Sequence, residues 1–161
     1  MTLAGVVAEF RPHPSAVSAA RGFLRSALSD VGLTETSGDL IDLLVVAANE
    51  LATNAVLHAR TEFTIRVLAD PIRVRVEVSD ANPRMPQPSP APAHATSGRS
   101  LAIIDGSGLQ WGMDPHPDGK TMWLQATRLR PIQGPAGVSR PARVAGRNVD
   151  LRPFGEHGPA Q

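Results

Sequence analysis

The stretch from Leu40 to Arg60 is the strongest helical pattern in the sequence, and the rest of the chain is best understood around it. Its apolar residues recur at the three-and-four spacing that buries one side of a helix. Thr36 or Ser37 is a suitable N-cap, and Asp39 in the first turn favours the positive end of the helix. The sequence therefore predicts a long core helix, whose buried side consists of Leu40, Leu43, Leu44, Ala47, Ala48, Leu51, Ala52 and Ala55.

The polar side of this helix carries a possible site. Glu50, Asn54 and His58 follow one another in steps of four, with Thr53 beside them, so a regular helix places them along one ridge. A carboxylate can accept a proton or orient a water molecule, and an amide one turn away can offer an oxygen to a hard cation. On spacing alone, a solvated helix face is the more common explanation of such a ridge.

Composition excludes several classes of function. The 161 residues include no cysteine, which rules out disulfides and thiolate metal sites and suits a reducing, cytoplasmic compartment. The net charge of +1 argues against a surface that contacts nucleic acid directly. We expect no signal peptide, and no stretch long enough to cross a bilayer. Lys120 is the only lysine, which the strong bias toward arginine explains.

The N-terminal part and the segment after the long helix predict a one-sided sheet. Residues 2–10 predict an edge strand, and Ser15 is a candidate N-cap for a helix that ends near Leu28. A strand over 63–68 and the turn at Asp70–Pro71 lead into a return strand, in which one side is apolar and the other charged. The apolar side consists of Ile72, Val74, Val76 and Val78, and the charged side of Arg73, Arg75 and Glu77.

The return strand ends at Asp80, and an aspartate in that place is a candidate ligand contact, although a turn-forming role is more frequent. The segment 81–97 is rich in proline and predicts either a disordered linker or a functional lid. Gly98–Arg99–Ser100–Leu101 then opens a short helical run, whose N-terminus could hold phosphate.

The remaining residues predict one more hairpin and a tail. Leu109 to Met113 is a candidate strand, residues 114–119 a turn, and residues 120–129 the last strand. In that strand Thr121 and Trp123 lie on one side, Met122 and Leu124 on the other, and Trp123 is expected in the core. Residues 131–161 are rich in Pro, Gly and Ala and predict a disordered, mildly basic tail.

Four segments, in this order and spacing, resemble the GHKL ATPase superfamily. They are Glu50-Leu51-Ala52-Thr53-Asn54-Ala55, Val76-Glu77-Val78-Ser79-Asp80, Gly98-Arg99-Ser100-Leu101 and Gly119-Lys120-Thr121-Met122-Trp123. Within that superfamily the chain is similar to the SpoIIAB/RsbW-like anti-sigma-factor serine kinases, which are abundant in actinomycetes. The resemblance covers about residues 6–130. It implies a histidine-kinase-like ATP-binding domain at 1–130, with residues 82–97 in the place of the ATP lid and 131–161 as the tail.

The resemblance also implies a role for each matching residue. Asn54 corresponds to the asparagine that holds Mg²⁺ between the nucleotide phosphates, and Glu50 to a proposed general base for a substrate serine hydroxyl. Asp80 corresponds to the aspartate that accepts a hydrogen bond from the adenine amino group. Thr121 corresponds to a threonine that supports the adenine end of the site. Gly98, Arg99, Ser100 and Leu101 correspond to the second glycine box, whose backbone amides meet the phosphates.

The chain departs from the family pattern in two places. No glycine follows Asp80 in residues 81–84, and Ser100 replaces a glycine of the second box, where a β-carbon costs on the order of 1 kcal/mol if the backbone needs positive φ. The implied function is an ATP- and Mg²⁺-dependent regulator that binds a sigma factor and phosphorylates a STAS-domain antagonist. A pseudokinase of the same fold that acts as a protein-binding module is the alternative. A detached sensor-kinase catalytic domain is a weaker alternative, because we find no phosphoacceptor helical hairpin before the ATPase-like region.

The predicted fold class is α/β, as an α+β two-layer sandwich. It consists of a mixed, mainly antiparallel sheet of about five strands with helices on one face. The sequence leaves open whether the chain forms a homodimer, because the N-terminal strand and helix could pack on a second copy or on their own sheet.

Overall fold

The structure is a computed structural model, and it describes residues 4–33, 38–84, 104, 106–128 and 143–144. Two helices and six strands make up this part of the chain. In chain order they are β1 (Ala4–Phe10), α1 (Pro14–Asp30), α2 (Gly38–Asn54), β2 (Phe63–Ala69), β3 (Arg73–Asp80), β4 (Gln110–His116), β5 (Gly119–Thr127) and β6 (Arg143–Val144). A π-helical turn, Ala55–Ala59, continues directly from α2.

The strands form one sheet in the order β4-β5-β3-β2-β1-β6. The pairings among β1 to β5 are antiparallel, and the two residues of β6 pair with Val6 and Val7 of β1 in parallel. The predicted mixed, mainly antiparallel sheet is therefore confirmed, with β6 as an addition. Because β6 covers the outer side of β1, the predicted edge strand has a neighbour on both sides.

The core lies between the two helices and one face of the sheet. The helices contribute mainly leucine and alanine, and the sheet contributes the alternate residues of β2, β3 and β5. Leu24, Leu44, Ile65, Val76 and Leu124 are completely or almost completely buried there. This arrangement confirms the predicted two-layer sandwich with helices on one face.

Arg128 ties the end of β5 to the end of α1. Its guanidinium donates hydrogen bonds to the backbone oxygens of Asp70 (3.1 Å) and Val31 (3.3 Å). Burial lowers the pKa of Arg128 from its ordinary value, and the negative charge of Asp70 opposes that effect. Arg128 thus links the end of β5, the turn between β2 and β3, and the end of α1, which are far apart in sequence.

The start of α1 differs from the prediction. Its N-cap is His13, whose Nδ1 accepts a hydrogen bond from the backbone N–H of Ser15, and Pro14 follows at the first helical position. Proline is favoured there because its missing N–H has no intrahelical partner to lose. Ser15 therefore lies inside the first turn, and its hydroxyl is hydrogen-bonded to the His13 ring (2.7 Å).

The long helix ends differently from a regular one. After Asn54 the chain forms the π-helical turn, and the N–H of Arg60 donates to the oxygen of Ala55 (2.9 Å). Arg60 itself takes the left-handed conformation, with φ 54°. His58 lies in this π turn and is exposed, whereas Glu50 and Asn54 are partly buried.

The face of the sheet opposite the helices is less exposed to solvent than predicted. Arg75 lies in an ionic layer with Glu77 (2.9 Å) and Asp114 (3.6 Å), and only 6% of it is exposed. Its guanidinium stacks 4.4 Å from the centre of the Trp123 ring. The prediction that Trp123 belongs to the core is therefore wrong: the indole lies on this outer face, beneath a cation.

Two strand boundaries also differ from the prediction. β4 continues through Asp114 to His116, which the proline-containing sequence had assigned to a turn, and only residues 117–118 connect it to β5. Pro115 is tolerated because β4 is an edge strand. Ile72 lies before β3 and is 57% exposed, so it does not share the core side with the valines that follow.

Within the part of the chain that the structure describes, one helical stretch is long and apolar enough to cross a membrane by length and composition. It is Gly38–Ala59, with 22 residues and a mean hydropathy of 1.6. The expectation that no stretch reaches this length is therefore wrong. Its apolar residues form the centre of the core described above, and core helices commonly have this composition.

Candidate functional site

The ends of α2 and of β3 meet at one end of the fold. The π-helical turn leads through residues 60–62 into Phe63, which pairs directly with Asp80 in the β2–β3 ladder. The hydroxyl of Thr61 accepts a hydrogen bond from the N–H of Ala81 (3.1 Å). The C-terminal end of α2 and the C-terminal end of β3 therefore lie at the same end of the sheet, where the sequence placed its candidate residues.

Glu50 and Asn54 occupy the last turns of α2 at the edge of its buried side. Both are partly buried, between the core residues Leu51, Ala52 and Ala55 and the solvent. The Nδ2 atom of Asn54 is inaccessible to solvent, whereas the residue as a whole is not. The structure thus keeps the carboxylate and the amide one helical turn apart, as predicted.

A magnesium site at Asn54 would depend on the ligands that a nucleotide brings. In the described part of the chain, no three acidic, histidine or cysteine side chains come together to form a metal cage. Mg²⁺ commonly takes one or two protein oxygens together with phosphate oxygens and water. The side-chain oxygen of Asn54, with Glu50 one turn away, suits this type of binding.

Asp80 is the last residue of β3, and its side chain binds the segment that follows. Its Oδ1 accepts hydrogen bonds from the N–H of Asn82 (2.8 Å) and from the ammonium group of Lys120 (3.0 Å). Lys120 also donates to the backbone oxygen of Asn82 (2.8 Å). The side chains of Asp80 and Lys120 are each only 7% exposed, so this ion pair is buried.

Gly119 allows the close approach that forms this pair. A β-carbon at this position would collide with the backbone oxygen of Asp80 and would lie 2.8 Å from the Cα of Ala81. Both of those atoms belong to the backbone and cannot rotate away. The first residue of β5 therefore has to be glycine if the backbone is to keep this approach to Asp80.

Thr121 does not face Asp80. Residues paired directly across antiparallel strands share a face, and Asp80 pairs with Lys120, whereas Thr121 pairs with Ser79. The hydroxyl of Thr121 is hydrogen-bonded to the Ser79 hydroxyl and to the His116 ring (2.8 Å each), on the face away from the helices. Thr121 thus lies on the opposite face of β5 from Lys120, and its assignment to the adenine end of the site stays a prediction.

Lys120 is the residue that the sequence analysis missed. The signal was present, because Met122 and Leu124 belong to the core side of the last strand and alternation places Lys120 on that side too. A lysine on a core side of a strand needs an anion, and the strand-end aspartate supplies it. Composition bias is therefore not a sufficient explanation of this single lysine.

Gly98, Arg99, Ser100 and Leu101 lie outside the described residues, as does most of the proline-rich segment. Of the C-terminal tail, the structure describes Arg143 and Val144, which form β6. The predictions of a phosphate-binding glycine box, a lid and a disordered tail therefore remain predictions.

Comparison with known proteins gives a family and a structural neighbour. Residues 10–124 match the family model described as a histidine kinase-like ATPase domain. The chain is also similar to 15 chains of solved structures, among them the crystal structure of the RsbU and RsbW domains of Rv1364c from Mycobacterium tuberculosis. No curated protein matches the sequence.

The structural similarity concerns the fold. The TM-score is 0.53 at 19% sequence identity, and the match covers 81% of this chain but 34% of the Mycobacterium tuberculosis chain. This chain therefore spans about a third of that protein. The family match, in contrast, extends over most of the described sheet and both helices and includes Glu50, Asn54 and Asp80. The chain belongs to the family of histidine kinase-like ATPase domains.

Proposed function

We propose that this protein binds ATP with Mg²⁺ and acts as an anti-sigma-factor serine kinase in partner switching. One observation carries the nucleotide site: α2 brings Glu50 and Asn54 to the end of the sheet at which β3 presents Asp80, within a family of ATPase domains. A partly buried carboxylate, amide and second carboxylate at one end of a sheet combine the groups needed for a base, a cation and a purine amino group.

Each residue has a distinct role in this proposal. Asn54 offers an oxygen to the magnesium that accompanies the phosphates, and the metal supplies charge neutralisation for phosphoryl transfer. Glu50 accepts the proton of the attacking serine hydroxyl and fixes its position. Asp80 accepts a hydrogen bond from the base, at the opposite end of the nucleotide from Asn54. The amides near Gly98 are expected to donate to the phosphates.

The proposed partners are a sigma factor and a STAS-domain antagonist, and the proposed location is the cytoplasm. Support comes from the fold similarity to a structure that contains an RsbW domain, together with the SpoIIAB/RsbW-like motif order in the sequence. In such a switch, phosphorylation of a serine on the antagonist would weaken its binding, because the phosphate adds charge and needs cationic partners. The sigma factor would then be held by this protein.

A second candidate function is a protein-binding module that does not turn over nucleotide. It is favoured by the ion pair between Lys120 and Asp80, because Lys120 already occupies one oxygen of the carboxylate expected to meet the base. The absence of glycine in residues 81–84 and the serine at position 100 point the same way. In this case the fold serves protein contacts alone.

Calorimetric titration of ATP with and without Mg²⁺ separates the two functions. We expect magnesium-dependent binding to the wild-type protein that is strongly weakened in Asn54→Ala, with Asp30→Ala, an exposed acid at the far end of α1, as the control. Absence of binding at millimolar nucleotide would contradict the ATPase proposal and favour the module. If ATP binds, transfer of labelled phosphate to a serine of the antagonist is expected for wild type and lost in Glu50→Gln.

A further inference from the structure

The buried pair of Asp80 and Lys120 keeps one acceptor and one donor unused. An ammonium group has three N–H donors, and the two partners of Lys120 are Asp80 Oδ1 and the backbone oxygen of Asn82. Within the described residues the third N–H has no hydrogen-bond partner, and Asp80 Oδ2 receives no hydrogen bond. Both side chains are nine-tenths buried, so solvent satisfies these groups only in part.

A lysine at position 120 leaves this acceptor and this donor available, whereas an arginine would not. The chain uses arginine for its other 15 cationic side chains, and an arginine fork would engage both oxygens of a carboxylate. A lysine is a compact charge that binds one oxygen and leaves the other available. The result is an acceptor and a donor adjacent to each other at the end of β3 and the start of β5.

A purine edge has the complementary pattern. In adenine the exocyclic amino group is a donor and the neighbouring ring nitrogen N1 is an acceptor, and hydrogen bonds of this kind distinguish one base from another. We propose that Asp80 and Lys120 together recognise the adenine base: Asp80 Oδ2 accepts from the amino group, and the third N–H of Lys120 donates to N1. Lys120 is then a specificity-determining residue, an inference that rests on the proposed nucleotide site.

This proposal differs from an inhibitory role of the same pair. If Lys120 blocked the base, its removal would strengthen ATP binding. If Lys120 binds the base, its removal weakens ATP binding. It also eliminates the preference for ATP over an analogue that lacks the N1 acceptor. The two roles therefore give opposite signs for one substitution.

Titrations of the wild-type protein with ATP analogues test the proposal without any substitution. An analogue in which C–H replaces N1 is expected to bind about 10- to 100-fold more weakly than ATP, because it loses a hydrogen bond to a charged donor. An analogue in which C–H replaces N7 lacks an acceptor away from this edge and is the matched control, with binding close to that of ATP. GTP presents O6 and N1–H in the reverse order and is expected to bind more weakly than ATP.

The variant Lys120→Met completes the design. It removes the donor and keeps the unbranched chain, so the N1 analogue and ATP are expected to bind with equal affinity. Arg25→Met removes an exposed cation on α1, whose side chain is 53% exposed, and is expected to retain the wild-type ratio. Circular dichroism checks that both variants are folded.

The outcomes also separate this inference from the proposed function. Equal binding of ATP and the N1 analogue to a wild-type protein whose binding depends on magnesium and Asn54 would overturn the inference alone. Tighter ATP binding in Lys120→Met would overturn it in favour of a block. Absence of ATP binding to the wild-type protein would overturn both.

Discussion

Breaking the buried ion pair of Asp80 and Lys120 is expected to destabilise the fold measurably. Both side chains are 7% exposed, and removal of one partner from such a pair leaves an uncompensated charge, which costs about 3–5 kcal/mol. In Lys120→Met the carboxylate keeps the N–H of Asn82, so we expect about 3 kcal/mol. In Asp80→Asn the ammonium keeps the Asn82 oxygen and gains an amide oxygen, so we expect about 2 kcal/mol.

The double variant gives the coupling between the two residues. Asp80→Asn with Lys120→Met leaves no unpaired charge, so its loss is expected at about 2–3 kcal/mol rather than the sum of about 5 kcal/mol. Urea unfolding monitored by circular dichroism measures each value from the midpoint and slope. At a slope near 2 kcal/mol/M, a loss of about 3 kcal/mol moves the midpoint by about 1.5 M.

An exposed pair supplies the control. Arg25 and Asp42 lie 2.9 Å apart, but their side chains are 53% and 64% exposed. A double-mutant cycle on Arg25 and Asp42 is expected to show a coupling below about 0.5 kcal/mol that disappears in 1 M salt. The buried pair is expected to keep its coupling in the same salt. Additive losses for Asp80 and Lys120, or a loss below about 0.5 kcal/mol in Lys120→Met, would refute the buried pair.

Three further substitutions test the fold around the site. Arg60→Gly should stabilise the protein by about 0.5–1 kcal/mol in urea unfolding, because Arg60 is held at φ 54°, where a β-carbon is unfavourable; a destabilised variant would contradict this. Leu124→Ala should destabilise it by about 2–5 kcal/mol through a cavity in a fully buried site, and a loss below about 1 kcal/mol would contradict that packing. Gly112→Ala places a methyl group 2.7 Å from the Cε2 of Trp123 and should therefore displace the indole from Arg75, with a change in tryptophan fluorescence; an unchanged spectrum and stability would show that the ring does not cover position 112.

Much of the fold could be predicted because the hydrophobic pattern and the buried faces agree. The period of α2 and the alternation of β2, β3 and β5 each reflect one apolar layer between helices and sheet. The positions of Glu50, Asn54 and Asp80 followed from those elements. The family resemblance added the expectation that these segments, in this order along the chain, contribute to one site.

The errors have local physical causes. The π-helical turn follows Asn54 without any glycine or proline to indicate it, so a regular helix was predicted as far as Arg60. β4 tolerates Pro115 only because it is an edge strand, which depends on the topology.

The single lysine gives the start of β5 a chemical property that the rest of the chain lacks. Because position 120 carries the sole side-chain amine of the 161 residues, reagents that acylate amines have one internal target in this sequence. Its ammonium is engaged by Asp80 and Asn82, so acylation requires the pair to open. The rate of modification at this residue therefore reports how often the Lys120 side chain leaves Asp80, a local opening that spectroscopy of the whole fold would average away.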